Sequence, residues 1–400
     1  MTHAPEFSGV LRHLGSRSLI AGAIGGAGCS YGYFELPDAF YPAYLTAFMF
    51  WLGISLGCLA VAMLHGLTGG GWGLAIIRVI EAGYQTLPLL AVLFAPVYFG
   101  VQRTHEWAEP GVMDRDAHLA RKAGYLNVDG FHTRAIVCFA VWIVIALLLN
   151  WSSPDEHSDG DSPRWRRLQC TSGLGFIAYA LTLTVAAVDW VMSLEPHWYS
   201  SMYGLIFLAG QAVAGLSFAI VLLVTLEHYD SWSQRRTNPQ RLNDLGNLLM
   251  TFVMFWAYTA FFQYLVIWSG NLPEESVWYL HRSQGGWQML VTALMGLHFA
   301  VPFLLLLSRQ VKRQGASLRR VAILLLAMRY ADLYWLVVPG FRRGGEPRFT
   351  FHWLDAAALA AIGGPWLAMF AWRLGARAKA PICDPELQEV PHERHHAPGT

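Results

Sequence analysis

The 400-residue sequence contains few charged residues, and its charges nearly cancel. Asp, Glu, Lys and Arg make up only 14% of the chain, against about 25% in an average soluble protein. With 28 basic and 27 acidic residues, it lacks the basic excess typical of nucleic-acid-binding proteins, and we expect no nucleic-acid partner. Apolar residues account for 54% of the chain, which excludes disorder for most of its length. This composition predicts a protein that crosses a membrane several times.

Metal-ligand and disulfide spacings are also missing. The five cysteines are Cys29, Cys58, Cys138, Cys170 and Cys383. They form no C-x-x-C or C-x-x-C-H motif, so iron–sulfur clusters, covalently attached haem and a disulfide framework are poorly supported. A membrane haem b would need two histidines at equal depth, whereas His298 is central in its apolar run and His65 and His228 lie near run ends. We expect no metal or haem in this chain, and only quinone or quinol remains a candidate ligand.

Apolar runs of the length that crosses about 30 Å of hydrocarbon recur ten times. They lie near residues 18–34, 42–66, 73–100, 133–150, 169–193, 200–226, 246–269, 285–308, 319–339 and 353–375. The sequence therefore predicts an all-α integral membrane protein of about ten transmembrane helices. The first run is rich in small residues, which suits close helix packing.

Outside the predicted membrane domain, 18–375, two tails are expected. Residues 1–17 have no short apolar stretch ending in a cleavage site, so they resemble an ordinary tail more than a signal peptide. Residues 376–400 have the composition of a flexible, solvated tail, and we interpret His392, His395 and His396 as solvated rather than as metal ligands.

The distribution of Lys and Arg predicts the orientation in a bacterial inner membrane. With the N-terminus inside, the inner segments hold 17 of these residues and the outer loops hold 9. By the positive-inside rule, both termini are then cytoplasmic. The longest connection, 102–132, carries several basic residues on the outer side against this rule, and we interpret it as a docking surface.

Ionisable residues inside the apolar runs are the candidate functional residues, because each costs about 2.5–3.5 kcal/mol at bilayer depth and must face protein or water. In the third run, Arg78, Glu81 and Gln85 share one helix face. This stripe is open to two interpretations: an ion pair that locks two helices, or a proton uptake route from the cytoplasmic half.

Arg329 and Asp332 repeat the i, i+3 spacing near the middle of the ninth run, and His298 lies at similar depth in the eighth. Histidine has an ordinary pKa near neutrality, and a carboxylate beside it would form a proton relay. A histidine that is simply hydrogen-bonded within the structure is the equally weighted alternative.

At the predicted outer side, Asp189 ends the fifth run, Glu195 and His197 follow in a short connection, and Asp355 opens the tenth run. These side chains are candidates for the outlet of a proton path. For Asp355 we favour a structural role, because the dipole at a helix N-terminus stabilises a carboxylate there. Asp189 is open to both interpretations, and Asp189 and His197 are also candidates to accept protons from a quinol.

Four segments together resemble one known family. They are VDWVMSLEPHWYSSMYGLIFLAGQ (188–211), FWAYTAFFQYLVIWSGNLPEES (255–276), YLNVDGFHTR (125–134) and RYADLYWLVVP (329–339). The sequence resembles the shorter of the two polysulfide-reductase-type (NrfD-like) membrane subunits, the F subunit, of alternative complex III, a quinol:cytochrome c oxidoreductase. The matching stretches spread from about residue 78 to 340.

This resemblance implies two four-helix bundles, spans two to five and six to nine, flanked by spans one and ten. It implies a respiratory or photosynthetic electron-transfer complex with a longer NrfD-like sister subunit, an iron–sulfur protein, c-type cytochromes and small membrane subunits, in a lipid bilayer and in some cases with a terminal oxidase. The haem c and iron–sulfur clusters belong to those partners. The shorter subunit itself is implied to carry no redox cofactor and to provide a proton path.

Carried over onto this sequence, the family's polar membrane positions correspond to Arg78, Glu81, Asp189, His298 and the pair Arg329 and Asp332. The resulting hypothesis is a non-catalytic, energy-coupling subunit of a quinol-oxidising complex. Its alternatives are a quinol-binding redox subunit, a structural anchor for peripheral cytochrome and iron–sulfur subunits, and, more distantly, a secondary transporter.

Overall fold

Long helices account for nearly all of the chain that the structure, a computed structural model, describes: residues 4–152, 163–227, 229, 237–341 and 349–377. This part contains no β-strand, and nine of its helices are long and apolar enough to cross a membrane. The ten long helices are α1 (Ala4–Glu35), α2 (Pro37–Thr68), α3 (Gly71–Phe99), α4 (Val128–Ser152), α5 (Pro163–Trp190), α6 (Tyr203–Leu226), α7 (Pro239–Gly270), α8 (Trp287–Leu307), α9 (Gly315–Val337) and α10 (Trp353–Arg377). The protein is an all-α integral membrane protein.

Helix α1, which is not among the nine helices that meet the length and apolarity of a membrane span, runs antiparallel to α10 along its length. Leu11 meets Gly375 at one end of the pair, and Gly32 meets Leu354 at the other. A Cβ atom on Gly25 would lie 2.5 Å from a backbone oxygen of α10, so glycine allows the two backbones to touch there. Because α10 is long and apolar enough to cross the membrane, its partner crosses the same thickness, and we count α1 as the tenth span.

The helices extend past the apolar runs at several ends. α7 begins at Pro239 rather than at 246, because the Asn238 side chain accepts a hydrogen bond from the Arg241 backbone N–H at 2.7 Å and caps the helix. α1 begins at Ala4 rather than at 18, and Phe7 and Leu11 are buried on it. Residues 4–17 are therefore part of a packed helix, not a separate tail. The predicted C-terminal tail, with its three histidines, lies outside the described residues except for its first two positions.

The helices form the two predicted four-helix groups. α2 packs on α3 and α5, and α4 closes the first group against α3 and α5. In the second group α6 packs on α7 and α9, while α8 lies between α7 and α9. The α1–α10 pair lies against α2 and α3. The arrangement of spans two to five and six to nine, flanked by one and ten, is confirmed.

The two bundles meet where α2 crosses α6. A Cβ atom on Gly57 of α2 would lie 2.0 Å from the backbone oxygen of Gln211, and one on Gly215 of α6 would lie 2.3 Å from the Gly57 carbonyl carbon. No larger residue fits between backbones this close. The crossing therefore depends on glycine on both helices.

Most connections on one side of the molecule are long, and we call this side the loop-rich face. It comprises residues 100–127, 191–202 and 271–286, with short helices within the first and third. The Lys122 ammonium donates a hydrogen bond to the Pro196 carbonyl at 2.6 Å, which ties the first of these connections to the second. The segment 102–132 is thus folded onto this face. The described ends of the chain, Ala4 and Arg377, lie at the opposite face.

Replacing Gly57 by Ala tests the crossing. The added methyl would overlap the α6 backbone, so the helices must separate, and we expect Gly57→Ala to lower the free energy of unfolding by about 1–3 kcal/mol, the usual cost of overpacking. Thermal unfolding in mild detergent measures this change. Gly53→Ala is the matched control one turn away, since its Cβ would lie at an ordinary 3.6 Å from the Gln211 side chain. Equal midpoints for the two variants would contradict the prediction.

Candidate functional site

A buried ion pair lies within the second bundle. Arg329 Nη1 donates a hydrogen bond to Asp332 Oδ2 on the same helix, α9, and both side chains are almost fully buried. The same carboxylate oxygen accepts a hydrogen bond from Trp256 Nε1 of α7 at 3.1 Å. Because Trp256 comes from a different helix, the carboxylate joins α7 to α9. We call Arg329, Asp332, Trp256 and His298, described next, the central cluster.

His298 completes the central cluster from α8. Its ring lies 4.1 Å from the Trp256 ring, centroid to centroid, and the side chain is fully buried. Within the described part of the chain, no hydrogen bond joins either ring nitrogen of His298 to another side chain. His298 also lies in a π-helical turn, Leu294–Ala300, a distortion found frequently at functional sites. Trp256 thus contacts both His298 and Asp332, and a relay through these residues stays a prediction.

Gly210 of α6, which has no side chain, provides the space for the Arg329 side chain. A Cβ atom on Gly210 would lie 2.2 Å from Arg329 Cζ, so the guanidinium occupies the space that any other residue would fill. The Phe207 ring, one turn earlier on α6, lies 5.6 Å from the guanidinium. Arg329 is therefore held between α6 and α9.

Two tyrosines extend the polar region beyond the central cluster. Tyr203, at the start of α6, lies within electrostatic range of Arg329 and Asp332 and also of Glu195 and Arg282 on the loop-rich face. Tyr179 of α5 is within range of Arg329 and donates a hydrogen bond to the Gln211 side chain at 2.7 Å. Both tyrosines are buried. Polar groups thus continue from the cluster toward the loop-rich face and toward the first bundle.

The first predicted stripe belongs to the first bundle. Arg78 and Glu81 are buried on α3. Gln85 Nε2 donates a hydrogen bond to Asn150 Oδ1 of α4 at 3.0 Å, and the Tyr84 hydroxyl donates to the same oxygen at 3.0 Å. These contacts join α3 to α4, and they place the stripe in a different helix group from Arg329 and Asp332.

Asp189 and His197 have separate partners. Asp189 is buried at the end of α5, and its Oδ2 accepts a hydrogen bond from Arg134 Nε of α4 at 2.6 Å. His197 is 53% exposed, and its Nε2 lies 3.2 Å from Asp116 Oδ2 in the connection 100–127. The structure therefore puts Asp189 in an ion pair between two helices and His197 on the surface of the loop-rich face.

Asp355 anchors the chain at the start of α10. Its Oδ2 accepts hydrogen bonds from the His352 backbone N–H at 2.8 Å and from the Tyr334 hydroxyl at 3.3 Å. The carboxylate sits in the first turn of the helix, where the dipole favours it. These contacts agree with a structural role for Asp355.

Glu195 of the loop-rich face forms an ion pair with Arg282, a residue that was not among the sequence candidates. Glu195 Oε2 lies 2.5 Å from Arg282 Nη2, and Arg282 also donates hydrogen bonds to the Trp278, Trp335 and Leu336 carbonyls at 3.2 Å each. Burial by itself raises the pKa of the Glu195 carboxyl, but the charges and hydrogen bonds of Arg282 and His281 outweigh it and hold the pKa below its usual range. Glu195 is therefore ionised at neutral pH and fixes the connection between α5 and α6.

Comparison with known proteins adds no family assignment, because no protein-family model and no curated protein matches this sequence. Within the described residues, no three His, Cys, Asp or Glu side chains are grouped closely enough to hold a metal ion. The expectation that this chain binds no cofactor stays a prediction.

Glu195→Gln tests the pair on the loop-rich face. The change leaves Arg282 without its carboxylate, so we expect a loss of about 1.5–3 kcal/mol in the free energy of unfolding near neutral pH. Because the folded pKa of Glu195 lies below its ordinary value of 4.5, its contribution is present above that value and is lost as the pH falls through the folded pKa.

The stability difference between the wild type and Glu195→Gln should therefore shrink as the pH falls below 4.5. Thermal unfolding midpoints in detergent, measured from neutral to acidic pH, test this. Glu274→Gln, at an exposed position of the same face, is the control. A difference that stayed constant with pH would show that the carboxylate charge contributes nothing.

Proposed function

We propose that this chain is a proton-conducting membrane subunit of a quinol-oxidising electron-transfer complex. The observation that carries the proposal is the central cluster: a buried Arg329–Asp332 pair beside His298, whose ring nitrogens make no regular side-chain hydrogen bond within the described residues. A buried ion pair that only stabilised the fold would be easily replaced by apolar residues. Ionisable residues at bilayer depth are instead typical of proton relays.

The proposed route leaves the cluster through Tyr203. This hydroxyl is within electrostatic range of the cluster on one side and of Glu195 and Arg282 on the other. We therefore place the exit at the loop-rich face, which would be the outer side, where the Glu195–Arg282 pair holds the connection beside Tyr203. Asp189 is held by Arg134, and its contacts support a structural ion pair.

On the other side of the cluster, Tyr179 and Gln211 lie between α5 and α6 and lead toward the first bundle. There, Arg78, Glu81 and Gln85 would supply protons from the cytoplasmic half. A continuous wire of this kind would leak protons across the membrane. The route therefore needs a gate, and we assign it to His298, because this residue lies in a π-helical turn, a distortion that is frequent at functional sites.

The complex itself is proposed from sequence resemblance. The segments 188–211, 255–276, 125–134 and 329–339 are similar to the F subunit of alternative complex III, a bacterial inner-membrane complex. They contain Asp189, Trp256, Arg134 and the Arg329–Asp332 pair, and two of these segments therefore supply three members of the central cluster. In this proposal the partners are a longer NrfD-like subunit, an iron–sulfur protein and c-type cytochromes, and quinol is oxidised in the sister subunit.

A structural anchor is the second candidate function, and a separate observation favours it. The loop-rich face is tied together by ion pairs and hydrogen bonds: Glu195 with Arg282, His197 with Asp116, and Lys122 with the Pro196 carbonyl. A fixed surface of this kind is suited to bind peripheral subunits. The two functions are compatible, because the anchor uses the face and the relay uses the membrane interior.

Isolation of the tagged chain in mild detergent tests the assignment to a complex. We expect a longer homologous membrane chain, an iron–sulfur protein and c-type haem to copurify, as read by native gel, mass spectrometry and the visible spectrum. A wild-type strain without the tag controls for non-specific retention. A chain that purifies alone and colourless would contradict the assignment.

Asp332→Asn tests the relay in the isolated complex reconstituted into vesicles. We expect the number of protons translocated per electron to fall while quinol oxidation continues, because the neutral amide cannot carry the charge of the relay. His298→Gln is the second variant, since it alters the proposed gate without leaving Arg329 unpaired. Asp355→Asn is the control, because Asp355 anchors the start of α10 outside the route. An unchanged proton ratio in both relay variants would overturn the relay and leave the anchor function.

A further inference from the structure

A groove with no part in the proposed relay opens between α1, α2, α3 and α10. Its volume is about 440 Å³, which lies within the range of small-ligand sites. Gly26 and Ile362 line its deep end, and Phe34 and Phe99 line its outer end. Phe34 and Phe99 are 77% and 78% exposed, so the groove opens toward the surrounding membrane.

The length of the groove matches one leaflet of the bilayer. Gly26 and Phe34 are eight residues apart on α1, a rise of about 12 Å, and half of the hydrocarbon core measures about 15 Å. Phe34 is one residue from the end of α1 at the loop-rich face. The groove therefore runs from that membrane surface toward the bilayer centre, in the direction of an acyl chain.

Two hydroxyls of the groove wall already donate hydrogen bonds within the protein. The Tyr44 hydroxyl donates a hydrogen bond to the Leu93 carbonyl at 2.7 Å, and the Ser30 hydroxyl donates to the Gly26 carbonyl at 2.9 Å. Most of the remaining lining is aromatic or aliphatic. Such a wall suits a hydrocarbon chain, and neither hydroxyl has a proton left to donate to the carbonyl oxygen of a quinone.

The positively charged side chain of Arg103 lies near the outer end of the groove. Arg103 follows the lining residue Phe99 by one helical turn and is exposed. The Tyr41 ring packs against the ring of Tyr33, which lines the groove, with centroids 6.2 Å apart, and Arg103 is close enough to interact electrostatically with the Tyr41 hydroxyl. Arg103 lies past the end of α3, at the depth of lipid headgroups. Its charge and the two hydroxyls therefore form a polar end to an apolar slot.

We propose that this groove binds one anionic phospholipid, with an acyl chain between the α1–α10 pair and helices α2 and α3 and the phosphate against Arg103, Tyr41 and Tyr33. Basic side chains at the membrane surface attract anionic headgroups. The bound lipid fills the gap between the α1–α10 pair and the first bundle and covers the aromatic wall of α2. It thereby holds the pair against the bundle at the loop-rich face.

Native mass spectrometry of the purified chain tests the site with phosphatidylglycerol and phosphatidylcholine of identical acyl chains. We expect one phosphatidylglycerol to bind about five-fold more tightly than phosphatidylcholine, as one arginine contact supplies. Gly26→Phe should abolish this binding, since a Cβ on Gly26 meets no atom within 4 Å and the ring would fill the groove. Arg103→Gln should remove only the preference for the anionic headgroup.

Two matched variants serve as controls. Gly9→Phe adds the same ring to open space on the same helix, away from the groove, and Arg115→Gln removes an exposed charge of the loop-rich face. Both should bind lipid as the wild type does. If Gly26→Phe does not fold, crosslinking of the wild type with a phosphatidylglycerol that carries a diazirine on its acyl chain replaces it, and labels should fall on α1 and α10.

Three results would overturn the proposal. They are unchanged binding to Gly26→Phe, equal affinity for the two lipids in the wild type, and release from the wild type of a quinone that Gly26→Phe no longer retains. The last result would assign the groove to quinone instead of phospholipid. None of these results depends on proton translocation or on partner subunits.

Discussion

The close crossing of α2 and α6 is the contact on which the rest of the structure depends. Gly57 and Gly215 bring the two backbones together, and lipid tails provide no hydrophobic force that would replace this packing. Five residues before Gly215 on α6, Gly210 provides the space for the Arg329 guanidinium. The same helix therefore joins the bundles and allows a charge to be buried next to the junction. Small residues, not polar ones, determine where the charged residues of the second bundle lie.

The two bundles bury charge in different ways. In the first, Arg134 and Asp189 pair across α4 and α5 near the loop-rich face, with the Tyr125 ring against the guanidinium at 4.1 Å. In the second, Arg329 and Asp332 pair along a single helix in mid-membrane, and the neighbouring helices contribute Trp256 and His298. The first arrangement links helices. The second leaves a titratable ring beside the pair, which is why we place the relay there.

Much of the fold follows from the sequence, whereas the contacts of the site follow only in part. Apolar runs predicted the spans, and the i, i+3 spacing predicted the Arg329–Asp332 pair, because both are local patterns. Trp256 and Asp332 are 76 residues apart in the chain, and Arg134 and Asp189 are 55 residues apart. No local sequence pattern reveals contacts over such separations. The π-helical turn around His298 is also invisible, since LMGLHFA has the composition of an ordinary apolar helix. The sequence predicts a tail at residues 4–17, because the charged residues of this segment mask the apolar face that Phe7 and Leu11 form.

The antiparallel contact of α1 with α10 has a consequence for biogenesis. Helix α1 leaves the ribosome before α10 and is rich in small residues, with four glycines between 22 and 28, and membrane insertion depends on hydrophobicity. Its partner α10 is made much later. During synthesis of the intervening eight spans, α1 therefore stays in the bilayer, or at its edge, without the surface that its glycines fit. The packing surface of α1 is completed only by α10, and chains that stop before α10 would expose this glycine surface to membrane quality control.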